Sequence, residues 1–263
     1  MTGGSTEHTP GTPAPSHHEA ANSVLGKARL ILECFELGDA DLSLTEIARR
    51  TGLAKASVHR LNQELLEWGM LERSGQEYRL GLRAFELGSR APRIRVLRDG
   101  IRPLMESLFH SQGETVHLGV LDGLEVVYIE KVASGPHATR PSTIAGRMPL
   151  HCTATGKALL AYGPRELLDD VVESGLPRRT PATVVSPRLL GEQVARARER
   201  GYATEHEETV VGYCSVAVPV FGHSGLLLAA LSITAPTYRA DIDRYATTLL
   251  DGVRRLQTMH IVN

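Results

Sequence analysis

Residues 43–68 read SLTEIARRTGLAKASVHRLNQELLEW, two short helical patterns on either side of Gly52. Ser43 with Glu46 three positions on forms a capping box, in which each residue satisfies an orphan backbone donor of the other. Gly52 supplies the left-handed residue that stops the first helix. In the second helix Val58, Leu61 and Leu65 recur at helical spacing. The opposite face then carries Ala56, Arg60 and Gln63, flanked by Ser57 and His59, with Lys55 at its start. No carboxylate falls between Glu46 and Glu64. A small, polar, acid-free helix face suits the DNA major groove, where Arg reads guanine, Gln reads adenine and small groups meet the thymine methyl. Phosphate attraction needs only a local positive excess, which a chain of 29 Lys and Arg against 30 Asp and Glu still offers here. The plainer alternative is a packed helix pair with a solvated outer face.

Beyond Gly69, MLERSGQEYRL reads as two short strands around Ser74 and Gly75, a hairpin in the position of a wing, with Arg73 and Arg79 on its sides. The candidate DNA contacts are therefore Lys55, Ala56, Ser57, His59, Arg60, Gln63, Arg73 and Arg79. With SVLGKARLILECF ahead and YRLGLRAFELGS behind, residues 23–89 resemble the winged helix-turn-helix domain of the IclR transcriptional regulators. The segments LTEIARRTGLAKASVHRLNQEL and YRLG, in this order, carry that resemblance.

A chain of 263 residues exceeds one winged helix several-fold, so a second domain with its own core is expected. The 42% apolar content is ordinary for a globular protein. No apolar run approaches the ~20 residues that cross a bilayer, so no membrane span is expected. The opening MTGGSTEHTPGTPAPSHHEAA has no apolar core of a secretory signal and reads as a disordered tail over residues 1–21, with His8, His17 and His18 as loose metal binders at most. Cys34, Cys152 and Cys214 are odd in number and widely spaced, which fits reduced thiols and a cytoplasmic location better than a disulfide framework. Cys34, beside Ile31 and Phe35, reads as core. Pro92, Gly100 and Pro103 punctuate the following pattern, predicting a connecting helix near Phe85, a hinge, and a helix over about residues 101–111. The expected division is a tail over 1–21, a winged helix-turn-helix domain over 22–89, a linker over 90–98 crowded with arginines, and an effector-binding domain over 99–263.

In that last domain TVHLGVL, the turn Asp122-Gly123 and EVVYIEKVA predict a hairpin. Helices follow over about 156–162, 164–173 and 187–200, then strands at YCSVAVPVF and LLLAALSIT, then a terminal helix over about 239–259. Strands, helices and strands in that order predict an α+β fold with an antiparallel sheet. Thr153 caps the helix around Gly156, presenting the amides of Ala154, Thr155 and Gly156 at a helix N-terminus, which attracts carboxylates. Strand alternation places Ser232 and Thr234 on one face, two hydroxyls that suggest a pocket lining. Cys214 shares a face with Val216 and Val218, and Met148 offers an adaptable apolar wall.

RMPLHCTATGKALLAY, GYATEHEETVVGYCSVAVPVFG and LAALSITAP resemble three blocks of the IclR effector-binding domain. The resemblance implies a GAF-like α+β domain that takes a small organic acid. It further implies Ala154 and Thr155 as amide donors, Thr204 near the ligand, Cys214, Ser232 and Thr234 as polar contacts, and Met148 as an apolar one. Thr204 stands where some members present an acid, and Gly212 lies one residue closer to Cys214 than in the commoner spacing. Dimers that pair into tetramers, control of a catabolic or metabolic operon, a palindromic or near-palindromic operator in double-stranded DNA, and the absence of a metal, other cofactor or catalytic residue are also implied. Two alternatives use the same half of the chain. One is a metal- or thiol-responsive regulator built on His117, His151, Cys152 and Cys214, although metal-site spacing of the C-x₂₋₄-C type is absent. The other is an enzyme with Cys152 or Cys214 as nucleophile and His151 as base, which needs a third orienting group that no motif supplies.

Overall fold

The computed structural model describes residues 23–36, 38–134 and 144–258. The expected tail over 1–21 lies outside them. Contacts within the chain divide it between Arg90 and Ala91.

The first unit contains α1 (Val24–Glu33), α2 (Leu44–Thr51), α3 (Lys55–Trp68), β1 (Leu71–Ser74), β2 (Glu77–Leu80) and α4 (Leu82–Ser89). Its core is Ile31, Leu42, Ile47, Val58, Leu61, Leu65, Leu71 and Tyr78, drawn from α1, α2 and α3, from Leu42 ahead of α2, and from one side chain of each strand. Gly52 ends α2 at φ 69° and Gly69 ends α3 at φ 79°, both left-handed. The capping box at α2 is half built. Ser43 Oγ accepts from the Glu46 amide at 3.2 Å, but the Glu46 carboxylate turns to Arg49 and Arg50 instead of back to Ser43. Charge-assisted bonds to two guanidiniums outweigh one bond to an amide, and they hold the Glu46 carboxyl at about 2. Cys34 is the half-buried C-cap of α1 and packs at the edge of this core.

The second unit contains α5 (Pro92–Gln112), β3 (Thr115–Asp122), β4 (Glu125–Val132), β5 (Arg147–Pro149), α6 (Ala154–Tyr162), α7 (Leu167–Ser174), α8 (Pro187–Arg200), β6 (Ala203–His206), β7 (Tyr213–Phe221), β8 (Leu227–Pro236) and α9 (Ile242–Thr258). The linker expected over 90–98 shortens to Arg90 and Ala91, because α5 runs unbroken from Pro92 through Gly100 and Pro103 and so begins nine residues before the helix expected over about 101–111. Pro92 sits in the first turn, where a missing N–H costs nothing. The ~3 kcal/mol penalty of an interior proline is offset by burial of Leu97, Ile101, Met105 and Leu108 along one face.

Six antiparallel strands form one sheet in the order β5-β4-β3-β8-β7-β6. One face packs against α5 and α9 through Val116, Leu118, Val216, Val218, Leu231 and Ile233. The other packs against α6, α7 and α8 through Val126, Tyr128, Met148, Ala203, Ala217 and Ala230. This is the α+β antiparallel architecture read from the sequence, with β5 and β6 added. Those two strands are three and four residues long, too short for alternation to declare them.

Candidate DNA-reading face and effector cavity

On α3, Val58, Leu61, Asn62 and Leu65 are buried, while Lys55, Ala56, His59, Arg60 and Gln63 are exposed and Ser57 is half-buried. Ala54 precedes the helix with no side-chain cap and no acid lies in the first turn. The first amides of α3 and Lys55 thus form one positive end. Arg60 rests against Glu64 at 2.8 Å, a pair in which both side chains are more than half exposed and which stabilises little. In the hairpin, Ser74 faces Glu77 across a turn of Gly75 and Gln76. The exposed Arg73 lies over the Tyr78 ring at 4.4 Å, and Arg79 pairs with Asp41 at 3.1 Å.

In the second unit a cavity of about 70 Å³ lies between the sheet and the start of α6. His117 (β3), Tyr128 (β4), Met148 (β5), Ser215 (β7) and Thr234 (β8) reach it from the sheet, and Thr153, Ala154 and Thr155 from α6. Glu205 (β6), Thr209, Val210 and Tyr213 complete the lining. Thr153 Oγ1 accepts from the Gly156 amide at 3.0 Å and donates to the Pro149 carbonyl at 2.9 Å. The Gly156 amide expected to face a ligand is therefore taken by the cap, and the amides of Ala154 and Thr155, which have no partner within the helix, stand at the cavity. Two glycines permit this close approach. A Cβ on Gly156 would fall 2.3 Å from the Leu150 carbonyl oxygen, and one on Gly119 would fall 2.8 Å from the Thr155 methyl.

Ser232 is buried against the same helix end, accepting from Thr155 Oγ1 at 3.1 Å, while the Tyr128 hydroxyl reaches Thr155 Oγ1 at 3.4 Å. Thr234 and Ser215 share a hydrogen bond at 2.9 Å, and Ser215 donates to Glu205 at 2.8 Å.

Three expected contacts fall elsewhere, and Ser232 is one of them, since it stands behind Thr155 and does not line the cavity. Cys214 points to the opposite face of β7, toward the α5 and α9 side, with its thiol directed at the Ala235 carbonyl at 3.8 Å. Thr204 points away from the cavity and accepts from Arg200 at 2.9 Å. Successive residues of a strand face opposite sides, so an error of one residue exchanges every contact. The neighbours of Cys214 and Thr204 line the cavity instead, Ser215 and Glu205.

Burial pushes the Glu205 carboxyl up to about 7, against the lowering effect of the Ser215 hydroxyl and the Glu208 amide. Burial likewise drives His117 down to about 3 and Tyr128 up to about 12, so both are neutral at physiological pH. Sequence reasoning missed His117 as a lining residue, and Tyr128, Thr153, Glu205, Thr209, Val210, Tyr213 and Ser215 with it. The turn carrying Thr209 and Val210 is tied from below. Thr180 and Thr183 donate to the carbonyls of Glu207 and Glu208 at 2.6 and 2.7 Å, Thr209 donates to the Cys152 carbonyl at 2.8 Å, and the buried Lys157 pairs with Glu208.

A larger cavity of about 380 Å³ is lined by Val220, Phe221, Gly222, His223, Val253 and Leu256 among others. It lacks the convergent amides, hydroxyls and carboxyl of the smaller one, so chemistry favours the smaller despite its size. Among the described residues no group of three His, Cys, Asp or Glu is placed to hold a metal ion, and no helix is long and apolar enough to cross a membrane. His151 donates from Nε2 to the Pro177 carbonyl at 3.1 Å. Burial raises the thiols of Cys152 and Cys214 to about 11 each, which suppresses the thiolate that nucleophilic or metal chemistry needs.

Residues 94–257 match the family described as bacterial transcriptional regulator IclR C-terminal, and residues 24–75 match the IclR helix-turn-helix domain. The chain is 36% identical over 218 residues to the HTH-type transcriptional regulator XynR of Escherichia coli K12, covering 82% of this chain and 86% of that protein. It is 32% identical to the transcriptional repressor IclR of the same organism, over 81% of this chain and 80% of that one. Among solved structures, an IclR homologue from Microbacterium hydrocarbonoxydans complexed with 4-hydroxybenzoate superposes with a TM-score of 0.84 at 30% identity, covering 90% of this chain and 99% of the other.

Proposed function

Because the chain belongs to the IclR family of DNA-binding transcriptional regulators, we propose that a small organic acid held in the 70 Å³ cavity sets its affinity for an operator. The protein is a regulator with a C-terminal effector domain and not an enzyme. The observation that carries the acid reading is the convergence of the Ala154 and Thr155 amides with Thr234, Ser215 and Glu205 on one cavity. The helix end takes the carboxylate, since its partial positive charge and unpaired amides favour an anion. Ser232 holds Thr155 in place, and Met148 and Val210 close the apolar sides. A volume of 70 Å³ accommodates about five water-sized groups, which suits a compact acid. The 4-hydroxybenzoate complex of the Microbacterium protein supports an organic acid as the class of ligand.

At the DNA, Arg60 and Gln63 read base edges, with Ala56 and Ser57 against thymine methyls and backbone. Lys55, His59, Arg73 and Arg79 engage phosphates. Arg60 first releases Glu64, which costs little because the pair is exposed. Two copies of the unit in a dimer or tetramer read a palindromic or near-palindromic site with half-sites about one helical turn, or a multiple of it, apart. The regulated genes are those of a catabolic or metabolic operon, and the protein works in the cytoplasm. Coupling of about 1–3 kcal/mol between the two ligands gives a roughly 5–150-fold change in DNA affinity.

Combining Ser232→Ala with Thr234→Val tests the assignment. Acid binding, followed by isothermal titration calorimetry, is expected to weaken while acid-free DNA affinity is kept. An unchanged acid response would remove both hydroxyls from the site.

A further inference from the structure

The chemistry of the cavity's far wall narrows the acid further, and this step rests on the cavity being an acid site. Glu205, Ser215 and Thr234 stand in one row across β6, β7 and β8, each opposite the next in register. The protons in that row can be counted. Ser215 has one hydroxyl proton and donates it to Glu205 Oε1 at 2.8 Å. Thr234 Oγ1, 2.9 Å from Ser215 Oγ, is then the donor of that bond. The Glu208 amide donates to Glu205 Oε2 at 3.0 Å. Each carboxylate oxygen holds one protein donor and, with two lone pairs apiece, keeps one acceptor position. The row therefore ends in an acceptor, with its donors already spent.

We propose that Glu205 selects the effector's second functional group, so that the ligand is a hydroxy monocarboxylic acid whose hydroxyl donates to Glu205 while its carboxylate sits on the α6 amides. A dicarboxylate in the same pose sets a second anion against the ionised Glu205, and an oxo acid sets lone pairs against lone pairs. Among the described residues no neighbouring charge removes that discrimination. Lys157 on α6 is engaged with Glu208, His117 on β3 and Tyr128 on β4 are neutral, as are Cys152 ahead of α6 and Cys214 on β7, and Tyr213 contributes a phenol. With its carboxyl at about 7, Glu205 changes form across the neutral range. A hydroxyl donor favours the ionised form, so hydroxy acid binding strengthens as pH rises. An oxo group needs the protonated form as donor and strengthens as pH falls.

Calorimetric titration of the full chain at pH 6, 7 and 8 with lactate, pyruvate and malonate, and with 4-hydroxybenzoate, 4-formylbenzoate and terephthalate, tests this. In whichever set binds, the hydroxy acid is expected to lead at pH 8 by tenfold or more and to lose about tenfold in affinity by pH 6. Glu205→Gln, which offers an amide donor as well as an acceptor, is expected to level the ranking and remove the pH dependence. If acids bind but the oxo acid or dicarboxylate equals the hydroxy acid at pH 8, or the wild-type affinities are flat with pH, the selection by Glu205 is wrong and the acid site stands. Failure of all six acids to bind would remove the acid site itself, and the selection with it.

Discussion

The outer face of α3 and the cavity beneath α6 solve opposite problems. On the outer face of α3 Lys55, His59, Arg60 and Gln63 point to water, and the partner must supply all complementarity; Arg60 rests on an exposed Glu64. In the cavity the polar groups are buried and already bonded to one another, through Thr155, Ser232 and Tyr128 at one end and Glu205, Ser215 and Thr234 at the other. A surface reader can lose a side chain without loss of fold. In a buried network a substitution also shifts stability, so the two regions should answer mutation in different observables.

The largest effect is expected from Lys157→Met, which leaves Glu208 buried without its ion-pair partner. Removing one member of a buried pair costs about 3–5 kcal/mol, read as a lower denaturation midpoint. A midpoint unchanged within error would show that the turn over the cavity is held by Thr180 and Thr183 alone. Next comes Glu205→Gln. Because the folded carboxyl is raised from 4.5 to about 7, native stability falls as pH rises between those values and the full penalty persists above them. The variant is expected to be more stable than wild type by about 3 kcal/mol at pH 8 and to show no such gain at pH 4. An equal gain at both values would assign the change to packing instead of charge.

On the other side of the comparison, Arg60→Ala is expected to leave the melting temperature alone and to cost about 1–3 kcal/mol of operator affinity, relaxing preference at one base position. Uniform loss on all DNA sequences would make Arg60 a phosphate contact. The smallest effect tests the one buried amide in α3. Asn62 is fully buried, and neither amide atom has a hydrogen-bond partner. Asn62→Leu is expected to raise stability by about 1 kcal/mol with DNA selectivity unchanged. Destabilisation would show that the amide is satisfied in solution.

This contrast also explains what could be read from the chain alone. The faces of α3 follow from Val58, Leu61 and Leu65, because a helix averages its pattern over several turns and tolerates an error of one residue. The strand YCSVAVPVF was placed with the right bounds, yet the wrong residue of the pair Cys214 and Ser215 was aimed at the ligand. Alternation has a period of two, and nothing within an almost wholly apolar strand says which set faces which helix. The same slip put Thr204 in the place of Glu205. The early start of α5 has a different cause, since the local helix breakers Gly100 and Pro103 are overridden by tertiary burial of Ile101 and Met105. The half-built capping box at Ser43 failed because Arg49 and Arg50 compete for Glu46, a contest that a motif of two residues does not contain.

The most direct measurement is fluorescence anisotropy of DNA from upstream of the protein's own gene, against scrambled DNA at one fixed salt concentration, titrated with and without the six acids. The account predicts selective binding whose affinity at least one acid shifts by roughly 5–150-fold, with the shift lost on combining Ser232→Ala and Thr234→Val. Selective binding that no acid alters, or an acid response that survives that double substitution, would contradict it.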